Sequence, residues 1–442
     1  MKKISINGFA AAVLRSAGVA VFGIAVALPG VAAQPADATS GQALYADVLH
    51  FEQFGIHRFG SAGQNAALDW IADRLKSDGF TVEEQRFSVD RQYFLDDASL
   101  KVGGTTLTVM PQWWLPERAA RFSLSAPIVR EGDAAGKFVR VTIPYDRGAY
   151  LGARQRDAVA QAVQRHPAAV LLTIDHPSGE VFAYNVAQTD TPWPVPVILV
   201  APKDVPMLEA AEKTGEPVTL SVNGHYEHNV PGRNIIGRLD RGKARTVVVS
   251  TPESSWFEST CERGPGIAAF LATASVAAQS LKDVNLVFVA TSGHEVGHGG
   301  MEYFIRDKAP KPQDVAVWLH YGASLACYAQ PADASRSSGA RPINSDSRFL
   351  LMTDDVARYV EPAFKDVAAQ HVTGPRASVG ELRDIIGAGY SHVFGMAGLH
   401  PLFHTPFDNA RMTSPDLPEP VVRAFVASLE DIVDSQRDGR KQ

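Results

Sequence analysis

Two rhythms of apolar and polar positions divide this chain. From Asn65 to Lys76, Leu68, Ile71, Ala72 and Leu75 recur at helical spacing, and Gly79 closes the run. Phe80 to Phe87 then alternates as a strand. From about Leu100 to His228 short β-rich runs punctuated by Gly and Pro dominate. They include strands over Phe138–Ile143, Ala169–Ile174 and Val195–Val200, and a short helix over Asp157–Gln164. Pro231-Gly232 marks the return to longer elements. Thr246 to Val249, Val284 to Ala290 and Val315 to Leu319 read as strands covered on both faces. Helices are expected over Pro265–Ser280, Asp354–Gln370 and Pro418–Asp434. Strands alternating with helices predict an α/β fold: a mostly parallel central sheet with helices on both faces, carrying an inserted β-rich module.

The N-terminal segment departs from both rhythms. Lys2, Lys3 and Arg15 precede an apolar stretch from Ala17 to Leu28, followed by Pro29-Gly30 and the small residues Val31, Ala32 and Ala33. That order predicts an export signal over residues 1–33, cleaved near Ala33, and a periplasmic or secreted product. About a dozen apolar residues are too few for an ordinary membrane span. Residues 34–44 are small and polar and read as a flexible leader. The formal charge is −6, and losing the segment's three cations makes the chain more acidic still. Nothing in that balance predicts a nucleic-acid partner, or a membrane partner beyond export. Cys261 and Cys327 are the two cysteines. Export permits a bridge between them, and two buried thiols fit the sequence equally well.

Polar clusters stand directly after the expected strands, where open α/β sheets bind ligands. They are Ser250–Trp256, Cys261–Gly266, Gly293–His298, His320–Gly322 and His400–Asp408. Their histidines and carboxylates are zinc-ligand types. His294-Glu295-Val296-Gly297-His298 also matches HExxH, in which two histidines one helical turn apart hold a metal. Gly293, Gly297, Gly299 and Gly300 crowd it, and glycine disfavours the helix that reading needs. Serine chemistry using Ser254 or Ser255 with His294 is a further alternative, although no nucleophile-elbow pentapeptide is present.

The order of these segments resembles the zinc aminopeptidases, a group that includes secreted bacterial leucyl aminopeptidases, glutamate carboxypeptidase and the non-catalytic transferrin receptor. The resemblance begins at Arg58-Phe59-Gly60-Ser61, takes residues 100–232 as a protease-associated-like insert, and resumes at Asn234-Ile235-Ile236-Gly237. It implies an N-terminal catalytic-like part over 34–99 and a main catalytic-like domain over 233–442. Where the family's first metal-binding His stands, this chain has Pro252, with Ser254 at the following Asp position. Glu262 takes the bridging carboxylate position, His294 the general base, and Glu295 the ligand after it. His320 stands at the next Asp ligand and His404 at the last His, with Asp408 beyond it.

The resemblance therefore implies a hydrolase of peptide or peptide-like amide bonds with one zinc ion. Glu262, His320 and His404 would hold the metal, with Glu295 as further ligand or support and His294 as base. Ser255, Trp256, Arg263, His298 and His400 would line the place of a peptide or small amide substrate; a structural ion pair is the other role open to Arg263. Glu253 and Glu381 are candidates for receiving a free amine. The alternatives are a non-catalytic binding protein on a peptidase scaffold and a metal-free serine-type hydrolase.

Overall fold

The computed structural model describes residues 37–331 and 341–438. The export-like stretch 1–33 lies outside them. No described helix is long and apolar enough to cross a membrane.

Four strands set the frame. Val315–Tyr321 pairs in parallel with Thr246–Pro252 on one side and Val393–Gly398 on the other, and Asn285–Thr291 adds in parallel to Thr246–Pro252. Every residue of Thr246–Pro252 and of Val315–Tyr321 is buried, so both faces are covered. Val247, Val249, Leu286, Phe288, Val317 and Leu319 pack toward the helices Gly41–Glu52, Thr260–Ser280 and Pro418–Asp438. Val248, Val287, Val289 and Trp318 pack toward Gly299–Asp307 and Glu381–Gly387. This is the expected α/β sandwich, with period-two side chains feeding two apolar layers. Arg348–Met352 runs antiparallel to Val393–Gly398 and carries Gln370–Thr373 at the sheet edge.

Beyond Asn285–Thr291 the sheet continues through two strands of 22 residues each, Val218–Leu239 and Thr81–Val102. They pair antiparallel from Thr81↔Arg238 to Lys101↔Thr219, with one irregularity between Leu95 and Asp97. The strands Thr105–Pro111, Val197–Val200, Ala169–Asp175, Phe138–Pro144 and Ile128–Val129 follow in that spatial order. The β-rich stretch thus extends the same ladder.

Three expectations change. The leader ends sooner: a helix covers Gly41–Glu52, capped by Ser40, whose hydroxyl accepts from the Ala43 N–H. Leu44, Val48 and Phe51 form its buried stripe. The helix expected over 354–370 stops at Ala363, one residue past Pro362, and the strand Gln370–Thr373 follows. The helix expected from Pro265 begins at Thr260. Its earlier start is fixed by Asp408, whose carboxylate accepts the Cys261 and Glu262 N–H groups at 2.9 Å each. A carboxylate there answers both the unpaired N–H groups and the helix dipole.

Candidate functional site at the carboxyl rim

The parallel strands all end on one rim. Pro252, Thr291 and Tyr321 close three of them, and the His400–His404 segment follows the fourth, Val393–Gly398. Each expected cluster therefore arrives at the same edge of the sheet.

The first group centres on Arg263. Glu262, in the first turn of its helix, Glu295 and Arg263 are all buried. The guanidinium donates from Nε to the Ser254 carbonyl at 2.8 Å and from Nη2 to Glu295 Oε1 at 2.6 Å. Nη2 also lies 3.0 Å from Glu262 Oε1. The other Glu295 oxygen accepts from Ser254 Oγ at 2.7 Å, and that hydroxyl accepts the Gly293 and His294 N–H groups. Burial would raise the Glu262 carboxyl, but Arg263 and His404 beside it hold it down to about 2. Burial would likewise strip Arg263 of its proton; Glu262 and Glu295 reverse that and raise it. His404 stands in the left-handed backbone region at φ 56°. Its Nδ1–H donates to the Ala183 carbonyl at 2.7 Å, which turns Nε2 toward Glu262 Oε1 at 3.4 Å.

The second group is a pair of stacked imidazoles. His294 lies in a single 3-10 turn, His294–Val296, between Gly293 and Gly297, both with positive φ, and the α-helix resumes only at Gly299. The HExxH residues therefore do not share a helical face, and the zincin geometry is not formed. The His294 and His298 rings stack with centroids 4.5 Å apart. His294 Nδ1 meets Glu381 Oε1 at 3.0 Å, and His298 Nδ1 meets Asp384 Oδ2 at 2.7 Å. The Tyr150 hydroxyl lies 3.3 Å from His298 Nε2. Burial, with His298 and Arg263 nearby, pushes His294 well below its ordinary value. Burial also opposes the charge on His298, but the Asp384 hydrogen bond outweighs it and raises that group. His298 takes a left-handed backbone at φ 59°, a strain of the kind that gathers at functional sites.

His320 belongs beside this second group. Its Nδ1 bonds Ser250 Oγ at 2.9 Å, and Ser250 Oγ also accepts from Trp318 Nε1. Burial lowers its pKa to about 4, with Glu381 and His294 among its charged neighbours. Of the expected ligand trio, Glu262 and His404 meet at 3.4 Å, while the His320 ring is hydrogen-bonded to Ser250, with Glu381, His294 and Arg263 nearby. Both oxygens of Glu295 are engaged by Arg263 and Ser254. Among the described residues, no three His, Cys, Asp or Glu side chains are grouped so as to hold an ion. A zinc site of the implied kind needs three such donors, so the residues present do not fit the group.

The remaining expected residues frame these two groups. Ser254 is bound to Glu295, and Ser255 Oγ donates to the Phe257 carbonyl at 2.9 Å, so neither hydroxyl is paired with the His294 imidazole. Trp256 is buried and donates from Nε1 to Asn185 Oδ1 at 2.9 Å. His400 bridges Ser324 and Asp408, and it lines a cleft of about 920 Å³ together with His176, Arg147 and Asp346. Cys261 and Cys327 form a disulfide that ties the start of the Thr260–Ser280 helix to the segment after Val315–Tyr321. Sequence reasoning did not single out Asp384, Tyr150 or His57, whose Nδ1 lies 2.8 Å from the buried Glu253. Glu253 and Glu381 stand out in the sequence only as candidates for receiving an amine. Asp384 lies 86 residues from the histidine it holds, and no local spacing marks such a pair.

No protein-family model and no curated protein sequence matches the chain. Solved structures do. A zinc aminopeptidase from Bacillus subtilis superposes with a TM-score of 0.66 at 16% identity, over 89% of this chain and 95% of that one. A peptidase M28 precursor from Shewanella amazonensis gives 0.64 at 14% identity, over 88% and 92%. An aminopeptidase from Aneurinibacillus gives 0.58 at 16% identity, over 88% and 93%. The chain has the zinc aminopeptidase fold.

Proposed function

We propose that this chain is an exported hydrolase of peptide-like amide bonds in which His294 activates water and His298 protonates the leaving nitrogen. The observation that carries the reading is the stacked pair itself: two imidazoles at the carboxyl rim, each held at Nδ1 by its own carboxylate. Their surroundings push their proton affinities in opposite directions, as an acid and a base sharing one site require.

Water gives a proton to His294 Nε2 as its oxygen adds to the amide carbon. The C–N bond then breaks, and the departing nitrogen takes the His298 proton. Glu381 and Asp384 are positioning residues that fix the two rings. Tyr150 stays protonated, since burial pushes its pKa up to about 12, so it can accept the His298 Nε2–H in one state and donate to Nε2 in the other. Export is supported by the charge and apolar order of the N-terminal segment and by the disulfide.

The test is release of amine from a panel of free and N-blocked aminoacyl anilides and short peptides. His294→Gln should lower kcat by roughly 10²–10⁴-fold, the range for loss of a positioned general base, with an unchanged near-ultraviolet dichroism spectrum. Equal turnover by this variant and the parent chain would remove His294 from the reaction.

One observation favours a second reading. Glu262, Arg263 and Glu295 are tied into one ion triad and closed to solvent, as in a scaffold retained for binding alone. Peptides that bind by calorimetry and are never cut would decide for it.

A further inference from the structure

We infer that Arg263 is a permanent internal cation which fills the place between Glu262 and Glu295 where a divalent ion would otherwise sit, and that the folded chain excludes such an ion from its rim. The inference stands whether or not the chain is a hydrolase, because it concerns what holds two buried carboxylates together.

Glu262 and Glu295 are both buried beside one cation. Two carboxylates out of water and close together repel, and each needs a positive partner or a proton. Arg263 supplies the positive charge from within the chain. It is anchored at a third point by the Ser254 carbonyl, so the guanidinium is held in place by backbone as well as by charge. Glu295 offers no unused oxygen, one going to Arg263 and the other to Ser254. An ion bound to Glu262 would also sit beside a guanidinium nitrogen already 3.0 Å from that carboxylate, and like charges at such range in a buried site repel strongly. His404 Nε2 and both Glu262 oxygens have no hydrogen-bond partner among the described residues. Those are the atoms that would receive an ion once the guanidinium is gone.

The test uses the full mature chain and reads metal binding rather than turnover. Native mass spectrometry and elemental analysis should find no stoichiometric divalent metal in the parent protein. Titration with Co²⁺ should give no ligand-field absorption, and neither Zn²⁺ nor a chelator should move its melting temperature. Arg263→Met removes the charge and keeps an apolar stem. It should take up one Co²⁺ with a new visible absorption band, and its melting temperature should rise with Zn²⁺. Arg263→Lys keeps a cation and should remain refractory, which separates charge from size. One tightly held ion in the parent chain overturns the inference, as does a folded Arg263→Met protein that takes none. If Arg263→Met does not fold, the parent chain's metal content decides alone.

Discussion

His298 is raised although burial works against it: the hydrogen bond to Asp384 at 2.7 Å leads, with the Glu381 charge behind it. Removing the Asp384 carboxylate should therefore lower the pKa of His298. A reaction that needs His298 protonated would lose activity at lower pH than before. For Asp384→Asn, the alkaline limb of the kcat profile should move to more acidic pH while the acid limb, set by other groups, stays. A pH–rate profile checks this, and an unmoved alkaline limb would show that His298 is not the proton donor. At this scale the chain was legible in part. Glu262, His294, Glu295 and His404 were all identifiable because strand ends mark the rim. Their pairings were not identifiable, since a guanidinium choosing between two carboxylates depends on side-chain geometry. Arg263 shows this best: its contact with Glu262 was foreseeable from adjacency, but its contact with Glu295, 32 residues on, was not.

Among the elements, Val393–Gly398 and Val315–Tyr321 pair closely where His320 stands opposite Gly395. A Cβ on Gly395 would lie 2.2 Å from the His320 carbonyl oxygen, an approach that no side chain tolerates. Gly395→Ala should push the two strands apart and cost about 1–3 kcal/mol, the usual range for overpacking, measured by urea unfolding. The disulfide acts on a neighbouring element. It closes a loop of 66 residues around the helix that carries Glu262 and Arg263. Replacing both Cys261 and Cys327 with Ser should cost about 2–4 kcal/mol, and a reducing agent should lower the parent chain's melting temperature but leave the double variant unchanged. The strands Thr246–Pro252 and Val315–Tyr321 were legible because both faces are covered and the residues read as unbroken apolar runs. The helix Gly41–Glu52 was hidden by the small, polar residues before it, although Leu44, Val48 and Phe51 carried its period. The edge strand Gln370–Thr373 has no buried residue, so it left no apolar signal.

Across the whole molecule, buried neutral imidazoles tie stability to pH. Burial lowers both His176 and His320 from 6.5 to about 4. Unfolded, each binds a proton below 6.5; folded, each resists until about 4. The unfolded chain thus holds more protons in that window, and stability falls as pH falls through it. Each histidine should cost about 2 kcal/mol between pH 7 and pH 4.5. Denaturant titrations at the two pH values check the slope, and His176→Gln should flatten it. A flat parent curve would mean that neither ring is held neutral by the fold.

The paired strands Thr81–Val102 and Val218–Leu239 also govern how this protein can open. Main-chain hydrogen bonds continue along almost their full length, so the β-rich half is bolted to the rim and lacks a swivel. From that half the Ala183 carbonyl holds His404, Asn185 holds Trp256, and Tyr150 reaches His298. The roof over the chemistry is therefore fixed architecture. The cleft beside His400 and His176 is lined from both halves, so its walls, like the roof, are set by that ladder.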